Sequence, residues 1–164
     1  MKIPELLGMF VVAVLITSCS SEFQQNGGLP VLNRIETALY IVDSENGKPL
    51  TEVTQGTPVR LVLELKNLSD ETLNFNFSSG KQYDFEVDNA DKQMVWSWSQ
   101  DKFFTQALST LTLGPKETVK FAQNWDQKDN AGRQVPAGVY RVTGMLTTIG
   151  SESIKSSTKE LVIK

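Results

Sequence analysis

From Val59 onward, apolar and polar residues exchange with a period of two, the spacing of strands that bury one face. Val59, Leu61, Leu63 and Leu65 share one side, with Arg60, Glu64 and Lys66 opposite. Leu73, Phe75 and Phe77 repeat the pattern against Asn74 and Asn76. The polar link Asn67-Leu68-Ser69-Asp70-Glu71 between these runs has the composition of a hairpin turn. Next, Tyr83, Phe85 and Val87 alternate with Asp84, Glu86 and Asp88. Asn89-Ala90-Asp91-Lys92 then turns the chain into Met94-Val95-Trp96-Ser97-Trp98, which predicts a second hairpin. Val119, Phe121 and Trp125 line one side of 117–125, and Tyr140, Val142 and Leu146 one side of 139–148. Segments 38–42 and 160–163 bring the total to about eight short strands. The pattern predicts an all-β fold, an immunoglobulin-like antiparallel β-sandwich. The paired cysteines of antibody domains are absent, so the architecture alone is implied.

The beginning of the chain breaks this pattern. Met9-Phe10-Val11-Val12-Ala13-Val14-Leu15-Ile16 is too short for the ~20 apolar residues of a membrane-spanning helix, and it runs into Thr17-Ser18-Cys19-Ser20. Ile16-Thr17-Ser18-Cys19 resembles a bacterial lipobox, whose cysteine thiol is diacylated before the signal peptide is cut on its amino side. An ordinary secretory signal beside an unrelated cysteine is the other reading. The lipobox divides the chain into a signal peptide at 1–18, a flexible tether at 19–32 and a sandwich domain at 33–164. At about 0.8 kcal/mol per buried CH₂, two or three acyl chains on Cys19 would hold the protein durably at a membrane. The expected location is extracytoplasmic: the outer membrane where the host has one, since Ser20 is no aspartate-type retention signal, and otherwise the outer face of the plasma membrane.

Composition then removes whole classes of chemistry. The 164-residue chain, less its first 18 residues, suffices for one domain. Its net charge of −3 supplies no basic field for nucleic acid or anionic lipid. With no histidine and a single cysteine, it lacks the common general base, the usual zinc ligands and any internal disulfide. No cofactor, metal or catalytic residue is expected; the domain is read as a binder of protein. Asp126-Gln127-Lys128-Asp129-Asn130-Ala131-Gly132 has calcium-like composition, but counted from Asp126 it puts Ala131 and Ala137 where an EF-hand needs glycine and glutamate. It is read as a polar turn. The sequons at Asn67 and Asn76 are read as incidental.

Phe75-Asn76-Phe77-Ser78-Ser79-Gly80-Lys81-Gln82-Tyr83-Asp84-Phe85 and Val95-Trp96-Ser97-Trp98-Ser99-Gln100-Asp101-Lys102-Phe103-Phe104-Thr105-Gln106 resemble the intracellular proteinase inhibitor (BsuPI) family. Leu113-Gly114-Pro115-Lys116-Glu117, Trp125-Asp126 and Pro136-Ala137-Gly138-Val139-Tyr140 extend the resemblance, which spans roughly 38–146. It implies a small all-β domain and, as partner, a serine protease, here regulated at the cell envelope. The rival reading is a non-inhibitory immunoglobulin-like adaptor of the envelope. Inhibition needs a rigid loop that enters a protease cleft like a substrate. Two segments qualify as partner-binding loops. One carries Lys102, Phe103 and Phe104, with basic and aromatic chemistry; the other carries Ser79, Gly80 and Lys81. The alternatives are that both phenylalanines plug an end of the sandwich and that 78–82 is a plain connection. Trp96 and Trp98, two apart, would share a face of a regular strand, either as core or as a platform for peptide or sugar.

Overall fold

The computed structural model describes residues 33–149 and 154–164. The expected signal peptide, Cys19 and the expected tether therefore lie outside the described residues. The first sheet has the order β1-β3-β8, from β1 (Ile35–Asp43), β3 (Val59–Asn67) and β8 (Thr118–Trp125). The second runs β2-β11-β9-β5-β6, from β2 (Glu52–Val53), β11 (Lys159–Ile163), β9 (Gly138–Leu146), β5 (Tyr83–Asp88) and β6 (Met94–Ser97), with β10 (Ile154–Lys155) paired to β9. A two-stranded ribbon joins β4 (Leu73–Phe77) to β7 (Ser109–Leu113). All pairs are antiparallel except β2 with β11.

The period-two faces become the core, because alternate Cβ atoms of a strand point to opposite sides of the sheet. Leu39, Ile41, Val59, Leu61, Leu63 and Trp125 of the first sheet meet Phe85, Val87, Tyr140, Val142 and Leu161 of the second. A second cluster lies under the ribbon, where Leu73, Phe75, Phe77 and Leu113 pack with Ile35, Leu65, Leu146 and Ile154. Tyr83 and Phe121 border both clusters and stack on each other with centroids 4.6 Å apart. Pro136-Ala137-Gly138-Val139-Tyr140 closes as a tyrosine corner: the Tyr140 hydroxyl donates to the Pro136 carbonyl at 2.7 Å, satisfying a polar group beside the core.

Eleven strands are present among the described residues, more than the eight predicted. β2 and β10 have two residues each, too few to show a period, and β7 offers only Leu111 and Leu113 against Ser109, Thr110 and Thr112. The predicted hairpin at 67–71 does not form. β3 pairs with β1 and β8 while β4 pairs with β7, so this link carries the chain from a sheet to the ribbon. The β7–β8 link makes the reverse crossing beside it. Asn67, fully buried, fastens the two: its amide donates to the carbonyls of Glu71 (2.7 Å) and Gly114 (2.8 Å), and its oxygen accepts from the Ser69 amide (2.9 Å). The hairpin predicted between β5 and β6 does form, with a bulge at Val87/Asp88.

Candidate functional site

The two candidate loops, far apart in sequence, lie side by side. The β4–β5 loop (78–82) gives its Gly80 amide to the Thr105 carbonyl at 2.9 Å, within the β6–β7 loop (98–108). The approach depends on glycine: a Cβ on Gly80 would stand 2.7 Å from Thr105 Oγ1. Ser109 Oγ ties the ribbon to the Ser79 carbonyl at 3.0 Å, and Thr147 Oγ1 holds the Lys81 carbonyl at 2.6 Å.

Beneath the loops sits an ion pair. Asp84 is only 3 % exposed, and Lys81 Nζ stands 2.5 Å from its Oδ2 and donates to Ser99 Oγ at 2.6 Å. The Ser99 amide (3.2 Å) and the hydroxyls of Ser97 and Ser99 also donate to the Asp84 carboxylate. Removal of a carboxylate from water is offset here by an opposite charge and several donors. Ser79, Gly80 and Lys81 thus form the buttress of the β6–β7 loop, their polar groups turned toward the protein. Alternation had grouped Asp84 with the outward-facing Glu86 and Asp88. The chain after β6 covers it: the hairpin register pairs Glu86 with Ser97 and Val87 with Trp96, and extending it two residues outward brings Ser99 opposite Asp84. That register, with Lys81 three residues before Asp84, is the signal through which sequence reading could have found the network.

The β6–β7 loop is fixed at both flanks. Gln100 and Lys102 donate their amides to the Ser97 and Ser99 carbonyls at 3.3 and 3.1 Å, and Gln106 Nε2 donates to the Phe104 carbonyl at 3.2 Å. Trp98 stacks on Tyr83, centroids 4.6 Å apart and planes at 13°, and receives Phe104 at 5.7 Å and Lys102 Nζ at 5.3 Å from its ring. Phe103 alone points away, at 103 % of reference exposure, and Leu108 stands out at 81 %. The expected plug therefore divides: Phe104 packs and Phe103 does not. Trp96 lies 6.1 Å from Trp125, so both hairpin tryptophans border the core.

Asn130 supports the loop from the far side of β6. Its Oδ1 accepts the Ser97 amide (2.8 Å) and its Nδ2 donates to the Ser97 carbonyl (3.0 Å), capping the strand edge. In the same polar turn, Asp129 accepts the Ala131 and Arg133 amides and pairs with Arg133 at 2.7 Å, interactions that hold its carboxyl below the ordinary carboxylate value. Buried Gln127 receives the Gly56 amide at 2.8 Å and donates to the carbonyls of Thr54 and Thr57, pinning the loop before β3. Among the described residues, no group of three or more acidic, histidine or cysteine side chains is arranged to hold a metal.

The profile of the BsuPI family, described as intracellular proteinase inhibitor, matches residues 49–150. The chain belongs to this family. The BsuPI match takes in both loops, the Asp84 network and the tyrosine corner, and leaves β1 outside. No curated protein sequence matches the chain. Among solved structures, the C-terminal domain of Wzt is similar at 6 % identity and a TM-score of 0.50, over 80 % of this chain and 74 % of that one. That likeness speaks to the fold alone. The CARDB domain of PF1109 from Pyrococcus furiosus is similar at 15 % identity and a TM-score of 0.40, over 79 % and 93 % of the two chains. The alkylpurine DNA glycosylase AlkC of Pseudomonas fluorescens is similar at 11 % identity and a TM-score of 0.46; the match covers 82 % of this chain but only 32 % of the glycosylase.

Proposed function

We propose that this BsuPI protein inhibits a serine protease at the cell envelope, held to a membrane by acyl chains on Cys19. Family membership supports proteinase inhibition, and the observation that carries the reading is the β6–β7 loop. Its flanks are fastened through Ser99, Thr105 and Trp98, while Phe103 stands entirely in solvent. A loop already held in its bound shape loses little conformational freedom on association, which is how a disulfide-free scaffold can still bind tightly. The domain works by occupying a protease, with no catalysis of its own. The lipobox at Ile16-Thr17-Ser18-Cys19 supports a target outside the cytoplasm, in contrast with the intracellular family description.

The lipoprotein, purified in detergent and titrated into an envelope extract of its host, is expected to lower serine-protease activity to a stoichiometric end point and to co-purify with the protease. Capture of non-protease envelope proteins alone, with protease activity unchanged, would return the domain to the adaptor reading. Anchoring is tested separately. Metabolic labelling with a radioactive fatty acid should mark the wild type and leave Cys19→Ser unlabelled.

A further inference from the structure

We infer that Phe103 is the side chain that fills the primary specificity pocket of the target, and that this pocket is apolar, as in proteases that cleave after aromatic or large aliphatic residues. The inference rests on the inhibitor reading above and adds the class of protease. Five side chains of the paired loops offer the chemistry such a pocket takes: Lys81, Lys102, Phe103, Phe104 and Leu108, the last at the foot of the loop, next to Ser109 of β7. The fold has already engaged three. The Lys81 ammonium lies on Asp84 and Ser99. Lys102 Nζ sits over the Trp98 ring, and Phe104 packs against the same ring. A basic-specific protease, whose pocket presents a carboxylate, would have to strip one lysine from its partner. An apolar pocket need disturb nothing.

Phe103 meets the geometric needs as well. Its amide and carbonyl make no hydrogen bond among the described residues, although the Lys102 amide and the Thr105 carbonyl on either side are both bonded. Free backbone groups between fixed ends are what a protease cleft needs in order to pair with a loop as it does with a substrate strand. An aromatic anchor inserted in a pocket is also the usual energetic centre of a protein interface.

The test uses the full-length lipoprotein in detergent against envelope extract, with two chromogenic peptides as probes, one ending in phenylalanine and one in lysine before the scissile bond. Wild type is expected to suppress hydrolysis of the phenylalanine peptide. Phe103→Ala should weaken that suppression about a hundredfold, Phe103→Tyr should restore most of it, and Phe103→Lys should shift inhibition toward the lysine peptide. Tyr40→Ala, on the outer face of β1, serves as the unchanged control, and equal melting temperatures establish that each variant is folded. Suppression of the lysine peptide alone by wild type, or full potency in folded Phe103→Ala, overturns the assignment of Phe103 while leaving inhibition standing. Suppression of neither peptide while the total serine-protease activity of the extract falls overturns this inference alone; suppression of neither with that activity unchanged overturns the inhibitor reading and this inference with it. If Phe103→Ala instead releases the Cys19→Ser protein from phosphatidylcholine vesicles without changing inhibition, Phe103 is a lipid contact and the inference falls.

Discussion

Thr105 occupies the space that a side chain at position 80 would fill, so the two loops are close only because residue 80 is glycine. Gly80→Ala should push the β6–β7 loop outward while leaving the sandwich intact. The expected readout is faster limited proteolysis between 98 and 108 with a melting temperature within a few degrees of wild type. Thr105→Ala removes Oγ1, the nearest atom, and the next is the Thr105 amide nitrogen at 3.6 Å. The double variant should therefore recover protection, an interaction that neither single change predicts. The Asp84 network gives a second ordering of effects. Lys81→Met leaves a buried carboxylate with only neutral donors and should cost about 3 kcal/mol in urea unfolding, the lower end for breaking a buried pair because Lys81 is 29 % exposed. Asp84→Asn keeps an acceptor for the serines and lets Lys81 reach water, so about 1 kcal/mol is expected. The reverse order would mean that hydroxyl bonding, not the ion pair, holds the loop base.

Strands were legible wherever a run of three or more apolar residues alternated, because only such a run buries enough surface to declare its face. β3, β4 and β9 show this, and Leu61, Leu65, Phe77 and Val142 are buried accordingly. Connections were legible only when local. The β5–β6 turn carries its own bonds, with Asn89 Oδ1 accepting the amides of Asp91 and Gln93. The 67–71 link has equally turn-like residues, yet its destination is set by tertiary partners of Asn67 that lie 46 and 47 residues away. The candidate site divides in the same way. Phe103 and Phe104 were legible as residue types, but their difference in exposure depends on Trp98, against which Phe104 packs and which is itself placed by its stack on Tyr83. Asn67→Ala would leave the Gly114 and Glu71 carbonyls without their donor at a buried crossing, and about 2–3 kcal/mol of lost stability is expected from urea titration. Tyr140→Phe removes one hydrogen bond at a corner already fixed by packing, and should cost about 1 kcal/mol by the same measurement.

Over the whole molecule, the β4–β7 ribbon separates two ends. Its Leu73/Leu113 end adjoins the crossings, where Arg34, just before β1, pairs with Glu71 at 2.6 Å; its Phe77/Ser109 end lies under the paired loops. The chain thus enters the domain at the end of the ribbon away from the candidate site, the arrangement a membrane-held inhibitor needs. Stability against pH is also a property of the whole. Amides of Asn46 and Glu45 hold Asp43 below the ordinary value of 3.8, and Arg133 does the same for Asp129. Burial pushes Glu86 above 4.5. The folded aspartates bind protons less readily than the unfolded chain, so their contribution is present above 3.8 and fades as pH falls through their lowered values. Glu86 has the opposite sign: stability rises as pH falls from its raised value to 4.5. The two together predict a maximum between pH 4.5 and 3.8 in the urea-unfolding free energy. Glu86→Gln should flatten the neutral side of that curve, and Asp43→Asn with Asp129→Asn the acid side. A wild-type curve that only declines from pH 7 to pH 3 would show that Glu86 is hydrated in the folded protein, and the neutral-side effect of Glu86→Gln would then vanish while the acid-side effect of the aspartates remained.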